Sequence, residues 1–85
     1  MQSKITRLFK ALSSETRLKI IELLLKNPSC EKDLSKCLRK NTSTICRHIR
    51  ELSAVGLVDF KKEGKKIIVK LKDKKKIRKL LSLVR

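Results

Sequence analysis

The side chains that could do chemistry are few and scattered. Among 85 residues there are one histidine, three cysteines and eight acids, set against 24 Lys and Arg. Acid–base or nucleophilic catalysis needs a reactive group, a base in reach and a third group to orient it. No such set can be assembled around His48, so the chain is not expected to be an enzyme. His48 borders an apolar helical face, where an imidazole is expected to be packed and hydrogen-bonded. Cys30 and Cys37 are two helical turns apart, about 10 Å, too far to share one zinc. Cys37 and Cys46 fall on neighbouring helices and could approach, as a thiol switch would require. The plainer reading makes Cys37 a small core residue and Cys46 an exposed one. Three is too few and an odd number for a disulfide framework. The expectation is free thiols in a cytoplasmic protein, with no metal and no cofactor.

What is abundant is positive charge. The formal net charge is +16, and from Lys61 to Lys79 eleven basic residues face only Glu63 and Asp73. A polyanionic partner is implied, and nucleic acid is the commonest. The 40% hydrophobic content is too high for a disordered tail. No apolar run approaches the ~20 residues of a membrane span, and Met-Gln-Ser-Lys does not open a signal peptide. No membrane partner and no small-molecule ligand is indicated. The length suits one domain over residues 1–85, with a core that is marginal alone.

The basic groups need elements to position them. Ile5, Leu8, Phe9 and Leu12 recur at helical spacing, predicting a helix over about 3–12. Ser13 or Ser14 can cap the next helix, Thr16 to Lys26, which is apolar over more than half its circumference and therefore sandwiched. Asn27-Pro28 ends it. Ser29 is expected to cap a short helix with Leu34 and Leu38 on its buried edge. After the turn Arg39-Lys40-Asn41, Asn41 caps Thr42 to Val55, with Ile45, Ile49 and Leu52 inward. Gly56 suits the residue just past that helix. Thr42, Ser43, Cys46, Arg47 and Arg50 fall on the opposite face. Two helices joined by a tight turn, about 29–55, form a helix-turn-helix. The period then changes to two: Val58 and Phe60, then Ile67, Val69 and Leu71, predict a hairpin over about 57–72 with a basic tip from Lys61 to Lys66. Ile77, Leu80, Leu81 and Val84 return to helical spacing over 73–85. The fold class is α+β, mainly α: a winged helix-turn-helix of about five helices and a β-hairpin wing.

Four stretches carry a resemblance: Ala11-Leu-Ser-Ser-Glu-Thr-Arg-Leu-Lys-Ile-Ile, Ser29-Cys-Glu-Lys-Asp-Leu, Asn41-Thr-Ser-Thr-Ile-Cys-Arg-His-Ile and Ala54-Val-Gly-Leu-Val. In this order and spacing they resemble the ArsR/SmtB family of winged-helix repressors, over roughly residues 8–72. The resemblance implies a homodimer joined through the first and last helices, a recognition helix in the major groove and a wing on the backbone or minor groove. Many members release DNA on binding a metal ion. The family's thiolate site uses a Cys-x-Cys pair; here Cys30 matches its first position and Lys32 occupies its second. The other frequent site, on the last helix, needs His and carboxylates, and this helix offers only Asp73. The usual metal-sensing ligands are therefore missing.

The residues expected to meet double-stranded DNA are Thr42, Ser43, Thr44, Cys46, Arg47 and Arg50, with Lys61, Lys62, Lys65 and Lys66 on the wing. Arg47 can present its planar fork to O6 and N7 of guanine, while the flexible lysines suit phosphates. Ile5, Leu8, Phe9, Leu12, Ile77, Leu80, Leu81 and Val84 are expected at the homodimer interface. Such a dimer sets two recognition helices about one DNA turn, ~34 Å, apart. The expected function is a sequence-specific DNA-binding transcriptional regulator, a dimeric repressor. A sequence-neutral architectural DNA-binding protein and a protein-interaction module of the transcription machinery are the alternatives.

Overall fold

The computed structural model describes residues 3–84, with side chains to residue 83. Five helices and three strands follow in the order α1 (Lys4–Leu12), α2 (Glu15–Lys26), β1 (Ser29–Cys30), α3 (Glu31–Leu38), α4 (Thr42–Ala54), β2 (Val58–Glu63), β3 (Lys66–Leu71) and α5 (Lys74–Val84). Four of the five helix starts are capped by a side chain. The Ser3, Ser14 and Asn41 side chains accept from the backbone N–H groups of Thr6, Arg17 and Thr44. Asp73 accepts from the Lys76 N–H at the start of α5. These bonds satisfy donors that the first helical turn leaves unpaired.

The turn between α3 and α4 is tight. Arg39 sits in the left-handed region at φ 54°, the Lys40 N–H reaches the Ser35 carbonyl at 3.2 Å, and the Ser35 hydroxyl donates to the Lys40 carbonyl. Helix α4 ends as its sequence predicts. Gly56 takes φ 79° and the Leu57 N–H returns to the Leu52 carbonyl at 3.0 Å, the closure in which a left-handed glycine carries the chain past a helix end.

The first correction concerns Ser29. It does not cap α3 through its side chain; with Cys30 it forms a two-residue strand, antiparallel to β3, pairing Ser29 with Val69 and Cys30 with Ile68. The hairpin is therefore part of a three-stranded sheet ordered β1-β3-β2. Cys30 occupies the α3 N-cap position without a side-chain bond. The second correction concerns the wing. Its strands run outward through Glu63 and back from Lys66, so the tip is only Gly64-Lys65, not the span from Lys61 to Lys66. Gly64 alone of the pair has positive φ, 62°, the pattern of a type II′ turn.

The core draws on every helix. Ala11 and Leu12, Ile20, Ile21 and Leu24, Leu34, and Ile45, Ile49 and Leu52 meet Leu57, Val58, Val69 and Leu71, and α5 closes it with Ile77 and Leu81. Leu12, Ile77 and Leu81 of the expected dimer interface are thus spent inside the subunit. The accessible part of that stripe is Ile5 and Phe9, 66% and 50% exposed, with Leu8 and Leu80 half-buried. The side chain of Val84 lies outside those described. Cys37 is a third correction: it is exposed, whereas Cys30 is buried and Cys46 half-buried. The α3 face that turns inward is set by Leu34 and Leu38, and Cys37 lies off it. Phe60, expected inward with Val58, is 44% exposed: it lies on β2, an outer strand, whereas its partner Val69 on central β3 is buried. No helix among the described residues is long and apolar enough to cross a membrane.

Candidate nucleic-acid interface

Helix α4 is built to present one face. Ile45, Ile49 and Leu52 are essentially inaccessible, so the helix cannot rotate without exposing them. That burial leaves Thr42, Ser43, Arg47 and Arg50 exposed and Thr44 and Cys46 half-buried. The N-terminal turn is already partly committed. Asn41 Oδ1 accepts from both the Thr44 N–H and the Ser43 hydroxyl, each at 2.9 Å. Ser43 therefore spends its proton on the cap and keeps acceptor capacity for an outside group. The Thr42 hydroxyl makes no hydrogen bond among the described residues and can still donate.

The other side of α4 is held by polar groups that the sequence reading did not assign. Arg17, on α2, donates from Nε to His48 Nδ1 at 3.0 Å, and its guanidinium lies 4.0 Å from the Glu51 carboxylate. The Arg17 side chain is largely buried and Glu51 half-exposed. His48 is thus packed and bonded, as expected of it. Its pKa is held below the ordinary 6.5, first by burial and then by the positive charges of Arg17, Arg47 and Lys40, with Glu51 opposing. A neutral ring whose Nδ1 accepts carries its proton on Nε2.

The wing lysines are brought together less than expected. Antiparallel register puts directly opposed residues on one face. Lys61 opposes Ile68 and Lys66 opposes Glu63, whereas Lys62 opposes Ile67 on the other face. Lys65 stands at the tip. All four are exposed, but Lys61 is paired with Glu63 at 3.2 Å. On the β1 side of the wing, Glu31 is buried, and its Oε2 accepts from the Ile67 N–H, opposite Lys62, at 2.7 Å. A carboxylate from α3 thereby continues the short β1 ladder along the edge of β3. Nothing in the local pattern marks this role: an acid in the first turn of a helix ordinarily reads as solvated.

Cys30 and Lys32 lie on β1 and α3, and all three thiols are free. Among the described residues no three His, Cys, Asp or Glu side chains converge in a way that could hold a metal ion.

Solved structures similar to this chain share its architecture. The model of the family described as "Bacterial regulatory protein, arsR family" matches residues 14–59, from the α2 cap through the recognition helix into β2. A cadmium resistance transcriptional regulatory protein CadC homolog of Staphylococcus aureus is 36% identical over 81% of this chain and 58% of its own. The chain thus spans just over half the length of that curated relative. HlyU from Vibrio cholerae is 32% identical and superposes with a TM-score of 0.80 over 94% of this chain and 90% of its own. The homodimeric winged helix-turn-helix DNA-binding domain Mb0332 from Mycobacterium bovis, a possible ArsR-family transcriptional regulator, is 25% identical, with a TM-score of 0.83 over 95% and 74%. Five helices, a three-stranded antiparallel sheet and the matched helix-turn-helix agree: the chain belongs to the ArsR family of bacterial regulatory proteins.

Proposed function

We propose that residues 1–85 form one winged helix-turn-helix unit that binds double-stranded DNA as a homodimer and represses transcription from the site it occupies. The observation that carries this reading is α4. Its apolar face is wholly buried while Arg47, Arg50 and the Thr42 hydroxyl stand exposed on the opposite side, the disposition that lets a helix enter a major groove with base-reading side chains outward. Arg47 reads guanine, Arg50 and Lys65 meet phosphate, and Ser43 and Cys46 make small contacts beside them. Ile5 and Phe9, exposed on α1 beside half-buried Leu8, supply apolar surface to a second copy, together with Leu80 on α5. A DNA-binding relative of known homodimeric state supports both parts. The missing Cys-x-Cys partner at Lys32 favours control by something other than the thiolate metal site.

Footprinting on DNA from upstream of the chain's own gene, at about 0.2 M salt where non-specific binding is already weak, tests the reading. A discrete protected pseudo-palindrome is expected. Diffuse protection that fades evenly with salt favours a sequence-neutral architectural role instead, for which a charge of +16 is ample.

A further inference from the structure

A groove of about 410 Å3 runs between α1, the start of α2 and α4, and DNA reading by the outer face of α4 gives it no part. Arg7 and Lys10 line it from α1, Ser14 and Arg17 from the start of α2, and His48 and Glu51 from α4. A space of this volume falls within the range of small-molecule sites. Its charge is out of balance. Three cations meet one carboxylate, and that carboxylate already lies beside Arg17. Arg7 and Lys10 are exposed and form no ion pair among the described residues. Hydrogen-bond donors are also left over. The Ser14 hydroxyl accepts from the Arg17 N–H and keeps its own proton, and His48 keeps Nε2–H once Nδ1 has accepted. In a concave surface, like charges sum their fields instead of dissipating them in water. An anion relieves that repulsion and satisfies the donors together.

We propose that this groove is a binding site for a small phosphate-bearing anion. The Arg7 guanidinium offers the planar fork that matches phosphate oxygens, and Lys10 adds a mobile point charge. The volume exceeds that of inorganic phosphate, so an attached organic group also fits. The site does not rest on the DNA-binding reading. Because Arg17 and His48 both line the groove and tether α4, occupancy reaches the recognition helix directly. The phosphate has two possible sources, a free anion or a backbone phosphate of bound DNA.

His48 is the only histidine in the chain, so its imidazole NMR signals report the groove without assignment ambiguity. The test is a pyrophosphate titration of the whole chain without DNA, with chloride adjusted to hold ionic strength constant, at a pH about one unit above the ordinary histidine value. A saturable His48 shift is expected. Arg7→Gln/Lys10→Gln weakens the binding about tenfold or more through the loss of two charge-assisted contacts. Lys74→Gln/Lys75→Gln, which removes the same charge from exposed positions on α5, leaves it intact. A shift that rises without saturating, or that weakens equally in both variants, overturns the site. Affinity for a duplex then separates the sources: a greater loss in the Arg7/Lys10 variant assigns the phosphate to DNA, and equal losses, with pyrophosphate binding weakened in the Arg7/Lys10 variant alone, assign it to a free anion.

Discussion

The recognition helix and the wing carry their basic side chains on supports of different kinds. Helix α4 has three residues fully buried along its length, Ile45, Ile49 and Leu52, and a polar tether through Arg17 to His48 and Glu51 on its flank. The wing is buried only at its base, through Val58, Val69 and Leu71. One buried carboxylate, Glu31, fixes the inner edge of β3. Beyond Phe60 every β2 residue is exposed, while β3 is still held there by Glu31 and by half-buried Ile67 and Ile68, so only the outer end of β2 and the Gly64-Lys65 tip are held by the ladder alone. Packing over a whole face fixes a side chain to within a fraction of an ångström, as base reading requires. A ladder leaves the tip free to bend, which suits flexible lysines seeking phosphates. The difference in support thus matches the difference in the tasks proposed for them.

The comparison can be broken from the α4 side first. Ile49→Ala removes a fully buried side chain beneath the recognition face and should cost about 2–5 kcal/mol, read as a lowered midpoint in urea unfolding. An effect within about 0.5 kcal/mol, the range of a surface position, would mean the helix is not fixed by that face. On the wing side, Glu31→Ala leaves the Ile67 N–H without its acceptor and should cost about 1–3 kcal/mol, with faster hydrogen exchange at Ile67. Glu31→Gln retains an acceptor oxygen and should recover most of the loss. If Gln and Ala behave alike, the carboxylate is not the pin.

Smaller effects sharpen the contrast. Lys65→Ala at the wing tip should weaken DNA binding on all sequences alike and reduce the salt slope by about one. An unchanged slope would remove the tip from the phosphate contacts. The smallest expected effect is on pH dependence. The folded pKa of His48 is depressed, so between the unfolded and folded values the unfolded chain binds more protons. The contribution of His48 is therefore full above the ordinary value of 6.5 and is lost as pH falls through the depressed folded value. A thermal melting series should show a decline below neutrality that His48→Gln flattens, and an identical profile in the variant would detach His48 from the tether.

Most of the fold is legible because it is local. Helical spacing at Ile5, Leu8, Phe9 and Leu12, the cap at Asn41 and the stop at Gly56 each act within a few residues, and a reader of the sequence can apply the same rules. The exposed face of α4 follows from them directly. What escaped depends on partners far along the chain. The two residues of β1 are too short to show a period, and they pair with β3 some 40 residues later. Arg17 meets His48 across 31 positions and Glu31 meets Ile67 across 36. That three residues of the interface stripe are buried within the subunit escaped for a related reason: Leu12, Ile77 and Leu81 have the right spacing, and spacing cannot tell a partner subunit from the subunit's own core. The wing lysines were grouped by sequence, whereas strand alternation sends Lys61 and Lys62 to opposite faces. Period-two reasoning carried through the tip would have found that.

The central claim is that α4 reads bases while the wing reads backbone. The most direct measurement is the affinity of Arg47→Ala, against the unaltered chain, for the footprinted site and a panel of its single-base variants at fixed salt. Loss of about 1–3 kcal/mol of discrimination at one base position, with the other positions still distinguished, is the predicted result. An equal loss on every sequence would reduce Arg47 to a phosphate contact and contradict the claim.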